Sequence, residues 1–176
     1  MNLMPNMVEA AEFERLRQWQ AYEAAKKVMP QWVREVDHGA CLVWAMAAMA
    51  VLPRFGLKPC IQAGSMSWPM DPNAVPPKPT HFGYEWTPGQ RTSDEGLMPE
   101  IHVWVGLTRS QEIVDFSTSE LPAKAKLHGV AWSGPKPPPF LWVRTKGLPV
   151  GVHYRPFRDA TLFAYERIKM LWRETR

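Results

Sequence analysis

The sequence has few cysteines, no long apolar run and no block of like charges. Two cysteines among 176 residues do not make a disulfide scaffold. No apolar stretch approaches the roughly 20 residues of a membrane-spanning helix, and the N-terminal MNLMPNMVEAAEFER lacks the basic start and apolar run of a secretory signal. The 21 Lys and Arg are interspersed with 17 Asp and Glu, so the charge does not demand a nucleic-acid partner. We expect a soluble, cytoplasmic protein that binds neither nucleic acid nor membranes.

The composition, with 45% hydrophobic and 22% charged residues, is that of a globular protein. A chain of this length buries roughly two-thirds of its unfolded surface, so it needs no structural metal to form a core. No internal repeat or long linker divides the sequence. The prediction is one domain over residues 1–176, of unknown oligomeric state.

Helical patterns begin and end the chain. The first runs from Val8 to Val28 and should end at Pro30; its apolar side chains at helical spacing are Phe13, Leu16, Tyr22 and Val28. The segment ACLVWAMAAMAVL, residues 40–52, is apolar all round, which predicts a helix buried on every side that ends before Pro53. The last helix is predicted from Phe157 to Arg173, with Leu162, Tyr165, Ile168 and Trp172 at helical spacing.

Short β-prone pieces, separated by Pro and Gly, lie between these helices. They are residues 58–63, 80–86, 100–107, 112–116, 140–145 and 151–154. The third and fourth form a predicted hairpin around the turn TRSQ, and the proline-rich segments 68–79 and 133–140 are predicted loops. The fold class is therefore α+β: N-terminal helices, with the buried helix packed on an antiparallel sheet, and a closing C-terminal helix.

Cys41 lies within the first turn of the predicted buried helix. Unpaired backbone N–H groups and the positive end of the helix dipole stabilise a thiolate there, as a nucleophile requires. The alternative is a small apolar core side chain. Cys60, in KPCIQAG, has no comparable setting and is interpreted as a buried thiol.

His102 and Asp115 occupy the two strands of the predicted hairpin, in EIHVWVG and EIVDFST. The hairpin should bring the carboxylate beside the imidazole, where it would fix the tautomer and stabilise the imidazolium. Together with Cys41 they would supply a nucleophile, a base and an orienting acid. A structural role for Asp115, holding the turn at the strand end, is the competing interpretation.

In these elements the sequence resembles the papain-like cysteine superfamily, most closely its transglutaminase-like branch. The resemblance is carried by DHGACLVWAMAAMAVL, GLKPCIQAG, HVWV and IVDFST, and covers residues 37–119. It implies a papain-like fold with Cys41, His102 and Asp115 as catalytic residues, and a peptidase or amidase acting on a peptide or small amide or acyl substrate. An acyltransferase of the same fold is the alternative. No cofactor or metal is implied.

The sequence departs from the family pattern upstream of the cysteine. Papain has a glutamine shortly before its nucleophile as an oxyanion donor, whereas here the nearest, Gln31, is ten positions away. The Cys41 N–H can supply one donor, and the second is unidentified. The predicted substrate-binding residues are Trp44, Trp68, Trp86 and Trp104.

Three other functions compete with this prediction. A zinc site would use His38 and Cys41 with His81, His102 or His128, although a second close Cys/His pair is missing. A non-enzymatic binding module for peptide or nucleic acid would use the nine tryptophans. An inactive member of the superfamily would keep the fold alone.

Overall fold

The computed structural model describes residues 4–33, 40–70, 81–86 and 101–174. At its centre is helix α2, Ala40–Val51, in which nine of twelve residues are buried. Its alanines and methionines are good helix formers, and its apolar surface is covered on both sides, by α1 and by the sheet. The predicted buried helix is confirmed, and a turn of 3₁₀ helix, Leu52–Phe55, follows it at Pro53.

Helix α1 spans Met4–Val33 and packs on α2. The prediction that it ends at Pro30 was wrong; a proline so near the end of a helix removes only its own N–H bond, and few further bonds remain to be disturbed. The predicted apolar face was also wrong in part, because Phe13 and Leu16 are exposed while Ala21 and Ala25 are fully buried. Small side chains let the two helices approach closely.

Within the described ranges the sheet has six strands: β1, Pro59–Pro69; β2, His81–Tyr84; β3, His102–Leu107; β4, Glu112–Asp115; β5, Leu141–Arg144; and β6, His153–Pro156. All described pairings are antiparallel, in the order β2-β1-β3-β4-β5, and β6 also pairs with β1. The β3–β4 hairpin is confirmed. Strand β1 extends through Trp68 and Pro69, which we assigned to a loop, because its second half has two partner strands of its own.

Two further helices complete the described fold. Helix α4, Arg158–Glu174, confirms the closing helix and packs on β1. Its inward side carries Ala160, Ala164 and Ile168, whereas Leu162 and Tyr165 are exposed, so the predicted face was wrong except at Ile168. A short helix, α3, at Leu121–Leu127, was not predicted.

The sheet therefore separates two apolar clusters. One lies between the sheet and the long helices, with Val103 and Val105 of β3 among its members. The other lies on the opposite face and includes Trp104, since alternate residues of a strand point to opposite faces. The fold is α+β, as predicted, and no helix in the described ranges is both long and apolar enough to cross a membrane.

Candidate active site

Cys41 is the second residue of α2, and its side chain is buried. Burial by itself opposes ionisation, but interaction with the His102 side chain, the charge of Lys124 and the backbone N–H of Val103 favour the thiolate. Their combined effect lowers the pKa of Cys41 to about 7. The unpaired backbone N–H groups at the start of α2 also favour the thiolate. The predicted setting for a reactive thiol is thus present.

His102 and Asp115 form a buried pair. The hairpin register aligns Val105 with Val114, so Asp115 at the end of β4 lies diagonally across from His102 at the start of β3. His102 Nε2 and Asp115 Oδ2 are 2.6 Å apart, and both residues are almost inaccessible to solvent. The contact expected from the sequence is present at hydrogen-bonding distance.

The two nitrogens of the His102 ring have different surroundings. Nε2 is bonded to Asp115, whereas Nδ1 is buried and has no hydrogen-bond partner within the described part of the chain. Because Asp115 occupies Nε2, Nδ1 is the ring nitrogen that remains for a proton exchange with Cys41, whose thiol interacts with His102.

The charges on this buried group, the Cys41–His102–Asp115 cluster, stabilise one another. Burial would lower the pKa of His102, but the charge and hydrogen bond of Asp115, with a further contribution from Cys41, raise it to about 9. Burial would raise the pKa of Asp115, but His102, Tyr154 and Ser117 together lower it to about 2. Since the pKa of the thiol lies below that of the imidazolium, a thiolate–imidazolium pair is favoured between about pH 7 and pH 9.

Asp115 uses its two oxygens for different purposes. Oδ1 accepts hydrogen bonds from the backbone N–H and the hydroxyl of Ser117, at 2.8 and 2.7 Å. Oδ2 faces His102 and accepts a 2.6 Å bond from the Tyr154 hydroxyl. Oδ1 therefore holds the turn after β4, as the structural interpretation of Asp115 expects. Oδ2 fixes the imidazole, as the orienting role expects.

Aromatic rings enclose His102. Tyr84 and Trp104 stack on the imidazole with ring centroids 5.6 and 6.0 Å away. Tyr154 contacts both His102 and Trp104, at 5.8 and 5.1 Å. This packing limits rotation of the ring and excludes water from it, which strengthens its interaction with Asp115.

The four tryptophans predicted to bind substrate are all buried. Trp44 stacks on Tyr22 of α1, Trp68 lies in the apolar cluster on the far sheet face, and Trp86 donates its indole N–H to Asp159. Trp104 contacts His102, donates to Gln62 and lines a cavity of about 470 Å³. Their binding of substrate stays a prediction.

The other candidate residues are dispersed or lie outside the described residues. Cys60 interacts with Gly106 and Thr108, away from the cluster. Among the described residues no three His, Cys, Asp or Glu side chains are grouped to hold a metal ion. His38, on which the zinc alternative depended, and the side chain of Gln31 are outside the described part.

Comparisons of the chain with protein-family models, with curated proteins and with solved structures gave no match. The function of the protein must therefore be inferred from the Cys41–His102–Asp115 cluster itself.

Sequence reasoning missed Ser117, Tyr154, Tyr84 and Lys124 as neighbours of the cluster. Ser117 had a recognisable signal, since Asp followed two residues later by Ser is a common side-chain turn. Tyr154 comes from β6, 39 positions after Asp115. Nothing local in the sequence identifies such a contact, because it depends on how β6 pairs with β1.

Proposed function

We propose that this protein is a cysteine-nucleophile enzyme of the transglutaminase-like branch of the papain-like superfamily, acting as a peptidase or amidase. The observation that carries the proposal is the buried Asp115–His102 hydrogen bond of 2.6 Å, together with the interaction of the Cys41 thiol with the same His102. A base held by an acid on one side and meeting a thiol on the other is the arrangement that activates a nucleophile. The cysteine at a helix start, with histidine and aspartate on neighbouring antiparallel strands, supports the family assignment.

In the first half-reaction the Cys41 thiolate attacks the carbonyl carbon of an amide or ester. The new S–C bond forms as the carbonyl π electrons move to oxygen, giving a tetrahedral oxyanion. The His102 imidazolium then gives its proton to the leaving nitrogen or oxygen as the C–N or C–O bond breaks. The products are a free amine or alcohol and a thioester on Cys41.

In the second half-reaction the now neutral His102 takes a proton from water. The hydroxide equivalent adds to the thioester carbon, the S–C bond breaks, and the carboxylic acid leaves. Cys41 returns as thiolate and His102 as imidazolium, so the resting ion pair is restored. Asp115 stays ionised throughout and stabilises each imidazolium state.

The oxyanion has one donor on this chain's own backbone. Cys41 is the second residue of α2, so its N–H has no carbonyl partner within the helix. The dipole of α2 adds to the same stabilisation. One such donor typically contributes a 10²- to 10³-fold rate increase in enzymes of this chemistry, an order-of-magnitude figure.

The test is detection of the acyl-enzyme. Folded protein is mixed with a panel of peptides, aryl amides and acyl thioesters. Its intact mass is measured, and any added mass is then located by peptide mapping. We expect an added acyl mass on Cys41, absent in Cys41→Ser, and release of free acid. Amide formation after addition of an amine would instead indicate an acyltransferase, and no adduct and no turnover with any compound would overturn the proposal.

A further inference from the structure

A cavity of about 470 Å³ lies beside the C-terminal end of β3. Its apolar wall includes Trp104, Ile113 and Tyr154, which belong to the apolar cluster on the sheet face opposite α2. Cys41 belongs to the cluster on the other face, and neither Cys41 nor His102 lines the cavity. Sites for small molecules are concave and mostly apolar, with a few convergent polar groups. This cavity has that form and is separate from the thiol.

Gln62 of β1 forms a polar part of the cavity wall. Its side-chain carbonyl accepts the indole N–H of Trp104 at 2.8 Å. A Cβ added at Gly106 would lie 2.7 to 3.0 Å from the amide group of Gln62, so the glycine lets that amide lie directly against β3. The NH₂ group of Gln62 takes no part in the bond to Trp104, and it can donate to an acceptor on a ligand.

A second cavity, of about 340 Å³, adjoins the first, since Gln111, Thr145 and Lys146 line both. Arg109 and Arg144 also line the second cavity, so three cationic side chains surround it. They come from the turn after β3 and from the end of β5, which the strand order β3-β4-β5 brings together. A concave surface with charges of one sign attracts a ligand of the opposite sign.

Glu112 contributes a carboxylate to the lining of the first cavity. It lies opposite Arg144 in the pairing of β4 with β5, and its Oε2 accepts a hydrogen bond from the Ser110 hydroxyl. Against the three cations it leaves an excess of two positive charges along the joined cavities. An apolar wall continuous with a basic rim fits a ligand that has an apolar body and an anionic end.

We propose that the joined cavities bind a small aromatic anion, a carboxylate or a phosphate monoester, with its ring against Trp104 and Ile113 and its anionic group beside Lys146. Aromatic rings pack favourably on indole and aliphatic walls. The site does not depend on the reaction proposed for Cys41, because no residue of the Cys41–His102–Asp115 cluster lines either cavity.

Cys60 provides a readout for this site. Its sulfur lies 3.2 Å from the carbonyl oxygen of Gly106 and 3.5 Å from the hydroxyl of Thr108, and both of these residues line the first cavity. A bound ligand should therefore shield Cys60 from a neutral alkylating reagent such as iodoacetamide, without shielding Cys41. Peptide mass mapping measures the two labelling rates separately.

The probes are 3-phenylpropionate, 2-phenylethyl phosphate and the neutral 3-phenylpropanamide. We expect both anions to slow the labelling of Cys60 in a saturable manner, at roughly threefold to tenfold lower concentration than the amide, as expected for a few exposed charge contacts. The anion that acts at the lower concentration identifies whether the preferred group is a carboxylate or a phosphate.

Two variants separate charge from shape. Lys146→Met should weaken binding of the anions by roughly twofold to fivefold and leave binding of the amide unchanged. Lys27→Met, which removes an exposed charge of α1 that lines neither cavity, is the matched control and should change neither. Gly106→Ala should weaken binding of all three probes, because its Cβ displaces the flexible end of Gln62.

The proposal is overturned if neither anion protects Cys60, or if Lys146→Met and Lys27→Met have equal effects. Protection of Cys41 in parallel with Cys60 would also overturn it, since the ligand would then occupy the reacting site. None of these measurements needs turnover. Failure of the ligand site therefore leaves the proposed cysteine enzyme intact, and absence of an acyl-enzyme leaves the ligand site intact.

Discussion

The two cysteines are the same side chain in two different electrostatic settings. Cys41 interacts with the His102 side chain, the backbone N–H of Val103 and the positive charge of Lys124, all of which favour a negative sulfur. Cys60 on β1 donates its S–H to the carbonyl of Gly106 at 3.2 Å, with the Thr108 hydroxyl 3.5 Å away. A carbonyl acceptor is satisfied by a protonated thiol and not by a thiolate.

The partners of the two thiols lie on the same strand, β3. Gly106 is four residues from His102 along β3, or about 13 Å, so both thiols contact the same strand near its opposite ends. The two thiols therefore differ in their hydrogen-bond and charge partners, and also in burial, since Cys41 is buried and Cys60 only partly so.

The largest effect should come from removing the two thiols in turn. Cys41→Ser should lower kcat/KM by at least about 10³-fold, because a hydroxyl is far less ionised than this thiol and the groups of such a cluster act as a unit. Cys60→Ser should leave activity within about twofold, since its partners are on the opposite end of β3. Comparable losses of kcat/KM in both variants, measured on folded protein with one substrate, would contradict the assignment of different roles to Cys41 and Cys60.

Asp115→Asn should lower kcat by roughly 10- to 10³-fold, a smaller loss than in serine enzymes because the thiolate is formed before substrate binds. The amide oxygen can keep the Ser117 bonds, but its NH₂ would then face His102 Nε2 and force the ring proton onto Nδ1. The ring could then no longer accept the thiol proton. The readout is kcat together with the melting temperature.

Ser117→Ala is the control for the structural half of Asp115, because it removes only the hydroxyl bond to Oδ1. We expect a loss of about 1 kcal/mol in the free energy of unfolding, with kcat nearly unchanged. If Asp115→Asn behaves in the same way, with lower stability and unchanged kcat, the aspartate holds the turn and does not orient His102.

The pH dependence of kcat/KM should show two limbs, set by the two groups of the ion pair. Activity should rise as Cys41 ionises through about pH 7 and fall as His102 loses its proton through about pH 9. At pH 5, two units below the thiol pKa, the rate should be roughly 100-fold below its maximum. An acid limb near pH 8.5, where an ordinary thiol ionises, would remove the distinction between Cys41 and a free cysteine.

Tyr154→Phe should lower kcat by roughly threefold to tenfold, because it deletes one of the two partners of Asp115 Oδ2 and leaves the contact with His102 in place. A hydrogen bond to a charged group contributes about 1.5–3 kcal/mol, of which we expect only a part in kcat and the rest in the free energy of unfolding. Tyr22→Phe, a buried tyrosine of α1, is the matched control and should not change kcat. Equal effects of the two substitutions would indicate loss of packing alone.

The sequence was sufficient to predict α2 and the β3–β4 hairpin because both rest on local patterns. Thirteen mostly small apolar residues before a proline predict a buried helix, and two β-prone segments on either side of TRSQ predict a hairpin. These two elements carry Cys41, His102 and Asp115, so the core of the site followed from them. Their contact with one another was an inference from the family resemblance and from chemistry.

The rest depended on tertiary packing. The inward sides of α1 and α4 consist largely of alanines, such as Ala21 and Ala164, while the pattern of large apolar residues pointed elsewhere. Close packing of helices favours small side chains such as alanine. A search for large apolar residues at helical spacing does not find such a face. Lys124 was missed for a related reason: α3 has only seven residues, and Leu121 and Ala125 hold it in place by packing.

The most direct measurement is the rate of alkylation of each cysteine by iodoacetamide from pH 5 to pH 10, followed by peptide mass mapping. The Cys41 rate should rise in a step centred near pH 7. At pH 6 about a tenth of Cys41 is thiolate, against roughly 0.3% for free cysteine with a pKa of about 8.5; after allowing for its lower nucleophilicity, Cys41 should react about fivefold to tenfold faster than free cysteine, and also faster than Cys60. Equal slow labelling of both cysteines at pH 6, with the Cys41 step at or above pH 8.5, would contradict the account.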